Sequence, residues 1–128
     1  MSRHLELGRR AEDRAAAHLA SLGWKILGRN ISNAYGELDS VALDRTSKEL
    51  VVVEVRYRTI GDVQSPLESV GPKKLRTLVQ AGRAFVEEAN WTGPWRIDLV
   101  GITARPGADE ADWELEHVRD ITGGEHPS

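Results

Sequence analysis

The sequence feature that most constrains the fold is the run VVVEVRYR at residues 51–58. Consecutive β-branched residues predict a buried strand, in which side chains alternate between the two faces of a sheet. Glu54 and Arg56 therefore share one face with Val52, inside a segment that is otherwise typical of a protein core. A carboxylate and a guanidinium at such positions indicate either a structural ion pair or a functional site.

Periodicity and turn signals divide the chain into the helices and strands of a single α/β domain. We predict helices over 2–22 and 72–89, strands over 24–31, 37–44, 49–58, 95–102 and 113–118, and a mobile loop over 59–71. The first three strands can form an antiparallel meander, whereas the third and fourth, joined by a helix, require a parallel right-handed crossover. The expected architecture is a mixed central sheet with an α-β-β-β-α-β core in a domain spanning 1–121, followed by a flexible tail over 122–128.

The composition excludes several classes of site. The chain has 128 residues and no cysteine, so it can bury a core without disulfides and cannot use thiol nucleophiles, zinc–thiolate sites or iron–sulfur clusters. The basic residues near the N-terminus are not followed by the apolar block of a signal peptide, and the longest aliphatic run, 50–53, is too short to span a membrane. We therefore expect a soluble, cytoplasmic protein with no membrane partner.

Charge is distributed unevenly along the chain. The formal net charge of −3 argues mildly against a nucleic-acid partner, yet residues 56–83 hold six basic and two acidic residues. Lys73 and Lys74 fall in the first turn of the second predicted helix, where the helix dipole makes cations unfavourable unless an anion binds there. Two alternatives remain open: a phosphate-binding face that also includes Arg76 and Arg83, or an ordinary solvated helix surface.

Three acidic residues, Glu12, Asp39 and Glu54, interrupt apolar patterns in three different predicted elements. A buried, unpaired carboxylate is costly, so each of them needs a partner or a proton. Internal arginines are one candidate for these partners: Arg56, Arg58 and Arg96. A divalent cation is the other, because Mg²⁺ is usually held by one or two carboxylates together with water and substrate phosphate. An arginine partner, Arg56 or Arg96, also accounts for Asp98 in the fourth predicted strand.

These residues carry a resemblance to a known family. The segments GELDSVALD and LVVVEVRYR resemble the Asp…Glu-x-Lys signature of the PD-(D/E)xK nuclease superfamily. Together with GRRAEDRAAAHLASLGWKILGRNI, KKLRTL and RIDLVGI, they make residues 8–102 resemble the YraN-like family of bacteria, uncharacterised protein family 0102. That family is similar to archaeal Holliday-junction resolvases, so the resemblance implies the restriction-endonuclease-like fold.

The resemblance implies roles for individual residues at a metal-dependent catalytic site. Asp39 and Glu54 would be the main ligands of Mg²⁺ or Mn²⁺, with the Val55 carbonyl as a third ligand and Glu12 approaching from the first helix. Arg56 stands where the superfamily usually has a catalytic lysine. Because arginine effectively never loses its proton, Arg56 could hold the scissile phosphate but could not help to activate water.

The implied function is that of a DNA endonuclease that hydrolyses phosphodiester bonds, with branched DNA as one candidate substrate. Four basic residues would hold the DNA backbone: Arg58, Lys73, Lys74 and Arg76. The resolvases act as dimers, so the resemblance also suggests a homodimer. Arginine at position 56 keeps open a non-catalytic nucleic-acid-binding module of the same fold. A protein-interaction domain with ordinary internal ion pairs is the third alternative.

Overall fold

The computed structural model describes residues 3–105 and 107–123 of the chain, with side chains from residue 6 onward. The helices are α1 (Arg3–Ser21) and α2 (Pro72–Glu88), and the strands are β1 (Lys25–Asn33), β2 (Gly36–Asp44), β3 (Glu49–Thr59), β4 (Trp95–Ala104) and β5 (Glu114–Val118). A short 3₁₀ helix, Glu110–Asp112, precedes β5. Every predicted helix and strand is present, with bounds that differ from the predicted ones by two residues or fewer.

The five strands form one sheet in the order β1-β2-β3-β4-β5. The strands β1 to β3 pair antiparallel, β3 pairs parallel with β4, and β5 pairs antiparallel with β4. The parallel pair arises because α2 carries the chain back along the sheet between β3 and β4. The mixed sheet and the α-β-β-β-α-β core confirm the predicted fold class.

The two helices contribute to separate apolar cores on opposite faces of the sheet. Leu19 of α1 packs in one core with Val51 and Val53 of β3. Leu78 of α2 packs in the other core with Val52. Because side chains alternate between the two faces along β3, this strand contributes residues to both cores. Its even-numbered residues point toward the α2 side.

Gly23 follows the last turn of α1 and ends the helix. Its φ of +80° lies in the left-handed region, which a residue with a Cβ adopts only under strain. The N–H of Gly23 donates to the Ala20 carbonyl at 2.9 Å, and the N–H of Trp24 donates to the Leu19 carbonyl at 3.2 Å. These bonds satisfy the last carbonyls of the helix. They also turn the chain so that Trp24 is buried beside α1.

A tight hairpin joins β1 and β2. Asn33 and Gly36 pair across the strands, which leaves a loop of two residues. The side-chain oxygen of Asn33 accepts a hydrogen bond from the N–H of Tyr35 at 3.0 Å, which stabilises this loop.

The remaining predictions concern the chain end and the membrane. Residues 121–123 form a turn, and residues 124–128 of the predicted tail lie outside the described residues. Neither of the two described helices is long and apolar enough to cross a lipid bilayer.

Candidate functional site

Asp39 and Glu54 stand opposite each other on β2 and β3. The antiparallel ladder ends at the pair Ser40 and Val53, and one further step in this register places Asp39 across from Glu54. Beyond the last paired residues, the N–H of Val55 donates a hydrogen bond to the side chain of Asp39 and not to a main-chain carbonyl of β2. The distance from this N–H to Asp39 Oδ2 is 2.8 Å. Two carboxyl groups from different strands are thereby brought to one point at the end of the ladder.

Glu54 is buried and is contacted by two cationic side chains. It is 4% exposed, and its Oε2 accepts a hydrogen bond from Arg56 Nε at 2.9 Å and lies 3.8 Å from Lys74 Nζ. Burial, the negative charge of Asp39 and a hydrogen bond between the two carboxyl groups raise the pKa of Glu54 to about 7, although Lys74 and Arg56 oppose the shift. The nearby cations therefore offset only part of the cost of placing this carboxylate in the sheet.

Glu12 approaches the same pair of strands from α1. Its pKa is raised, first by partial burial and then by the negative charge of Asp39, while Arg29 opposes the shift and Glu37 and Asp13 add to it. Arg29 itself donates a hydrogen bond to Asp13 Oδ1 at 2.8 Å. The charge of Asp39 thus acts on both of the other predicted acids, but only Glu54 also shares a hydrogen bond with it.

The donors of this cluster have the chemistry that a hard divalent cation requires. The carboxylates of Asp39 and Glu54 face each other, and the C=O of Val55 points to the same side of β3 as its N–H, which is the side of Asp39. Within residues 3–105 and 107–123, no group of three histidine, aspartate or glutamate side chains is arranged so that it could hold one metal ion. Mg²⁺ keeps several waters and needs only one or two protein carboxylates, so this oxygen set fits it.

The basic residues predicted to hold DNA occupy two elements. Lys74 of α2 reaches the acidic cluster through Glu54. Arg58 lies further along the same face of β3 and hydrogen-bonds to β4. Lys73 and Arg76 are exposed on α2. The structure therefore brings Lys74 to the acids and distributes the other three over the surface beside them.

The first turn of α2 is built like an anion site. Pro72 is the first residue of the helix, and Gly71, at the N-cap position, has no side chain that could cap it. The first turn contains no acidic residue. The first N–H groups of a helix have no intrahelical partners and carry the positive end of the dipole. Lys73 and Lys74 add positive charge at the same end, which suits a phosphate group.

A second charged cluster, around Arg96, lies on the α1 side of the sheet. The guanidinium contacts three carboxylates, Asp44, Glu49 and Asp98, at 3.1, 2.7 and 2.9 Å. The prediction of an arginine partner for Asp98 is confirmed, and the partner is Arg96, whereas Arg56 bonds to Glu54. This cluster fastens the start of β4 to the β2–β3 hairpin.

Two histidines extend the Arg96 cluster, and the sequence did not predict this. His117 Nε2 lies 2.9 Å from Asp98 Oδ2, and His117 Nδ1 lies 2.9 Å from His18 Nε2. Burial lowers the pKa of His18, and the neighbouring His117 and Arg14 add to this effect. No spacing indicated the contact, because the two histidines are 99 residues apart in the chain.

Comparison with known proteins gives the family. The model of "Uncharacterised protein family UPF0102" matches residues 11–102. The chain belongs to the UPF0102 family. This UPF0102 protein is 35% identical over 118 residues to a UPF0102 protein of Nitrosococcus oceani, which covers 91% of this chain and 94% of the relative. It is 40% identical over 115 residues to a UPF0102 protein of Stutzerimonas stutzeri, with 88% and 94% covered.

The family match includes the whole candidate site of the UPF0102 protein, because Glu12, Asp39, Glu54 and Lys74 all lie within residues 11–102. Among solved structures, the Holliday junction resolvase Hjc of Archaeoglobus fulgidus is similar to this chain. That likeness covers 89% of this chain and 77% of the resolvase chain, with a TM-score of 0.44 and 17% sequence identity.

Proposed function

We propose that this UPF0102 protein is a metal-dependent phosphodiesterase of the restriction-endonuclease-like type that cuts DNA. The observation that carries the proposal is the meeting of Asp39 and Glu54 at the end of the β2–β3 ladder, with Lys74 3.8 Å from Glu54. Carboxylates directly opposite each other repel and destabilise a sheet. Their placement beside the positive end of a helix is explained if a cation and a phosphate bind between them.

The proposed metal ligands are the carboxylates of Asp39 and Glu54 and the carbonyl of Val55, with Glu12 within electrostatic reach. When bound there, Mg²⁺ or Mn²⁺ would lower the pKa of a coordinated water and polarise the phosphate. Arg56 stays protonated and would orient the scissile phosphate and stabilise its charge in the transition state. The hydrogen bond from Arg56 Nε to Glu54 holds the guanidinium in position for this.

The proposed DNA-binding surface begins at the first turn of α2 and continues along β3. Free N–H groups and the ammonium group of Lys74 would hold the phosphate next to the acids. Lys73, Arg76 and Arg58 would contact neighbouring phosphates, which position the nucleic acid without reading its sequence. A homodimer, which would place two such sites on one DNA, is part of the proposal.

Cleavage of linear and branched DNA in the presence of Mg²⁺ or Mn²⁺ tests the catalytic role. We expect metal-dependent cutting by the wild type and its loss in Asp39→Asn, which keeps an oxygen for the Val55 N–H but removes the charge. Asp112→Asn, a change at an exposed acid of the 3₁₀ helix, is the matched control. Cutting that persists undiminished in Asp39→Asn would refute the assignment.

The second candidate function is a non-catalytic nucleic-acid-binding module. It is favoured by the contact between Arg56 and Glu54, because a permanently charged partner already occupies one oxygen of the proposed metal ligand. Arg56→Lys separates the two functions: an enzyme limited by this arginine should cut faster with lysine. If both forms bind DNA with a steep salt dependence and neither cuts, the binding module is the correct function.

A further inference from the structure

The contact between His18 of α1 and His117 of β5 limits how many protons the two rings can carry. His18 Nε2 lies 2.9 Å from His117 Nδ1. The ring centroids are 5.1 Å apart and the ring planes are inclined at 76°, so the two nitrogens face each other along the line between the rings. This is the geometry of a hydrogen bond, in which one nitrogen donates and the other accepts.

The second ring nitrogen of His117 is held by Asp98. His117 Nε2 lies 2.9 Å from Asp98 Oδ2, and the Asp98 side chain is fully buried. Although burial opposes the shift, the hydrogen bonds that Asp98 accepts lower its pKa below 3.8, so it is an anion at neutral pH. His117 Nε2 is therefore the donor to Asp98. A neutral His117 then has its lone pair on Nδ1 and accepts a hydrogen bond from His18 Nε2.

The pair can take up one additional proton without a change in this contact. One hydrogen still lies between the two facing nitrogens, whichever ring carries the positive charge. A second additional proton would place an N–H on both facing nitrogens, and two donors cannot remain 2.9 Å apart. Protonation of both His18 and His117 therefore requires the rings to separate.

The charged groups on the β4 side of the pair favour the first additional proton. Asp98 faces His117 directly. Behind it, the single positive charge of Arg96 contacts the carboxylates of Asp44, Glu49 and Asp98. This side is therefore net negative, and it stabilises a positive charge on His117.

The charged groups on the α1 side oppose the second additional proton. Arg14 of α1 and Arg119, which follows β5, lie close enough to His18 for their positive charges to act on it. Burial lowers the pKa of His18, and the charges of His117, Arg14 and Arg119 add to this effect. The two additional protons are therefore expected to bind in two separate steps.

We propose that this contact is a pH-sensitive link between α1 and β5, which is closed while the two rings share one hydrogen and opens when both are protonated. His18 is the ring that moves, because it is half-buried, whereas His117 is 11% exposed and bonded to a buried carboxylate. Opening uncovers His117 and the Trp24 ring, whose centroid is 5.4 Å from that of His117. Because the closed pair binds its last proton more weakly than an unfolded chain does, the closed form becomes less populated as pH falls below about 6.5.

NMR titration of the imidazole nitrogens in the full chain between pH 8 and pH 4 tests this proposal, because the nitrogen shifts report which atoms carry protons. We expect His18 and His117 to titrate in two steps, with the second midpoint at least about one pH unit below the first. The nuclear Overhauser effect between the two rings should persist through the first step and disappear with the second. A single step for both rings, or an effect that persists when both rings are fully protonated, overturns the proposal.

His18→Gln removes one proton site and keeps a side-chain carbonyl that can accept from a protonated His117. We expect His117 to titrate in one step, binding its proton about tenfold more tightly than the wild type binds the second one. Arg14→Gln is the matched control, because it removes a nearby positive charge and leaves both rings in place. It should keep the two steps. If Arg14→Gln alone merges them, the separation comes from surface charge and the proposal is wrong. Thermal unfolding at pH 7 checks that the variants are folded, and the titration of the wild type decides even if one of them is not.

Discussion

Asp39 and Glu54 face each other across β2 and β3, one step beyond the last paired residues of the ladder. The Val55 N–H donates to Asp39 at 2.8 Å, so the carboxylate is held in place by the very strand that carries its counterpart. Like charges opposite each other are destabilising in a sheet. This relationship therefore opposes stability, and it yields predictions for both stability and ligand binding.

We expect Glu54 to make the free energy of unfolding fall as pH rises from 4.5 to 7. Burial and the charge and hydrogen bond of Asp39 raise the pKa of Glu54 from its ordinary 4.5 to about 7 in the folded protein. The folded state then binds this proton more tightly than the unfolded chain, so the contribution is complete below pH 4.5 and is lost as pH rises through 7. A shift of this size corresponds to about 3 kcal/mol.

Urea unfolding between pH 4.5 and 8 measures this effect. Glu54→Gln cannot titrate and should gain stability over the wild type as pH rises, whereas Glu88→Gln, at an exposed acid of α2, should follow the wild type. Parallel pH profiles for the wild type and Glu54→Gln would contradict the expectation.

We expect Mg²⁺ to stabilise the folded protein. A cation bound to the Asp39 and Glu54 carboxylates at 100 times its dissociation constant would add about 3 kcal/mol to the free energy of unfolding. Differential scanning fluorimetry with increasing Mg²⁺ should show a rising unfolding temperature in the wild type and in Asp112→Asn, and no rise in Asp39→Asn. An equal rise in all three proteins would mean that the cation binds elsewhere.

We expect Arg96→Gln to cost about 3 to 5 kcal/mol of unfolding free energy, because it leaves buried carboxylates without their cation. Its three partners are Asp44, Glu49 and Asp98. Arg105→Gln is the control: Arg105 pairs with Glu114 at the surface, where such pairs contribute about 1 kcal/mol or less. Chemical denaturation at pH 7 measures both, and equal costs would show that the Arg96 cluster is not a structural element.

The same cluster should make the protein sensitive to acid. Burial alone would raise the pKa of Asp98, but hydrogen bonds from His117, Arg96 and the N–H of Asp120 outweigh it and lower that pKa below its ordinary 3.8. The stabilisation is therefore present above pH 3.8 and is lost as pH falls through the folded-state pKa. Asp98→Asn should show less loss of stability between pH 5 and pH 2 than the wild type in thermal unfolding. A steeper loss would contradict this.

We expect Gly82→Ala in α2 to destabilise the protein, although alanine is the better helix former. A Cβ at this position would lie 2.7 Å from the Trp95 ring and 3.3 Å from Val52. Overpacking of this kind costs about 1 to 3 kcal/mol, more than the roughly 1 kcal/mol that helix propensity returns. Urea denaturation decides the sign, and an increase in stability would show that Trp95 can move aside.

Much of the fold could be predicted because its signals are local. The valines of β3, the apolar stripes of the helices and the glycine after α1 act through residues a few positions apart. The parallel pairing of β3 with β4 followed from the helix between them. The sequence also indicated acids on apolar faces at Glu12, Asp39 and Glu54, because a costly carboxylate at such a position is visible in the pattern itself. The structure brings Asp39 and Glu54 together, and Glu12 is within reach of the charge of Asp39.

The contacts between these elements could not be read from the pattern. The approach of Lys74 to Glu54 depends on where α2 lies on the sheet, and the contact of His18 with His117 joins residues 99 positions apart. The close packing of Pro66 on Gly101 likewise joins the loop before α2 to β4.

The sequence by itself thus determined the helices, the strands, their order and the presence of buried charge. Periodicity and turn chemistry depend only on near neighbours in the chain, so they need no knowledge of the rest. The tertiary structure alone decided which charged side chains contact each other and which apolar side chains remain exposed to solvent. Those outcomes depend on strand register and on helix position, which are set by the packing of the whole core.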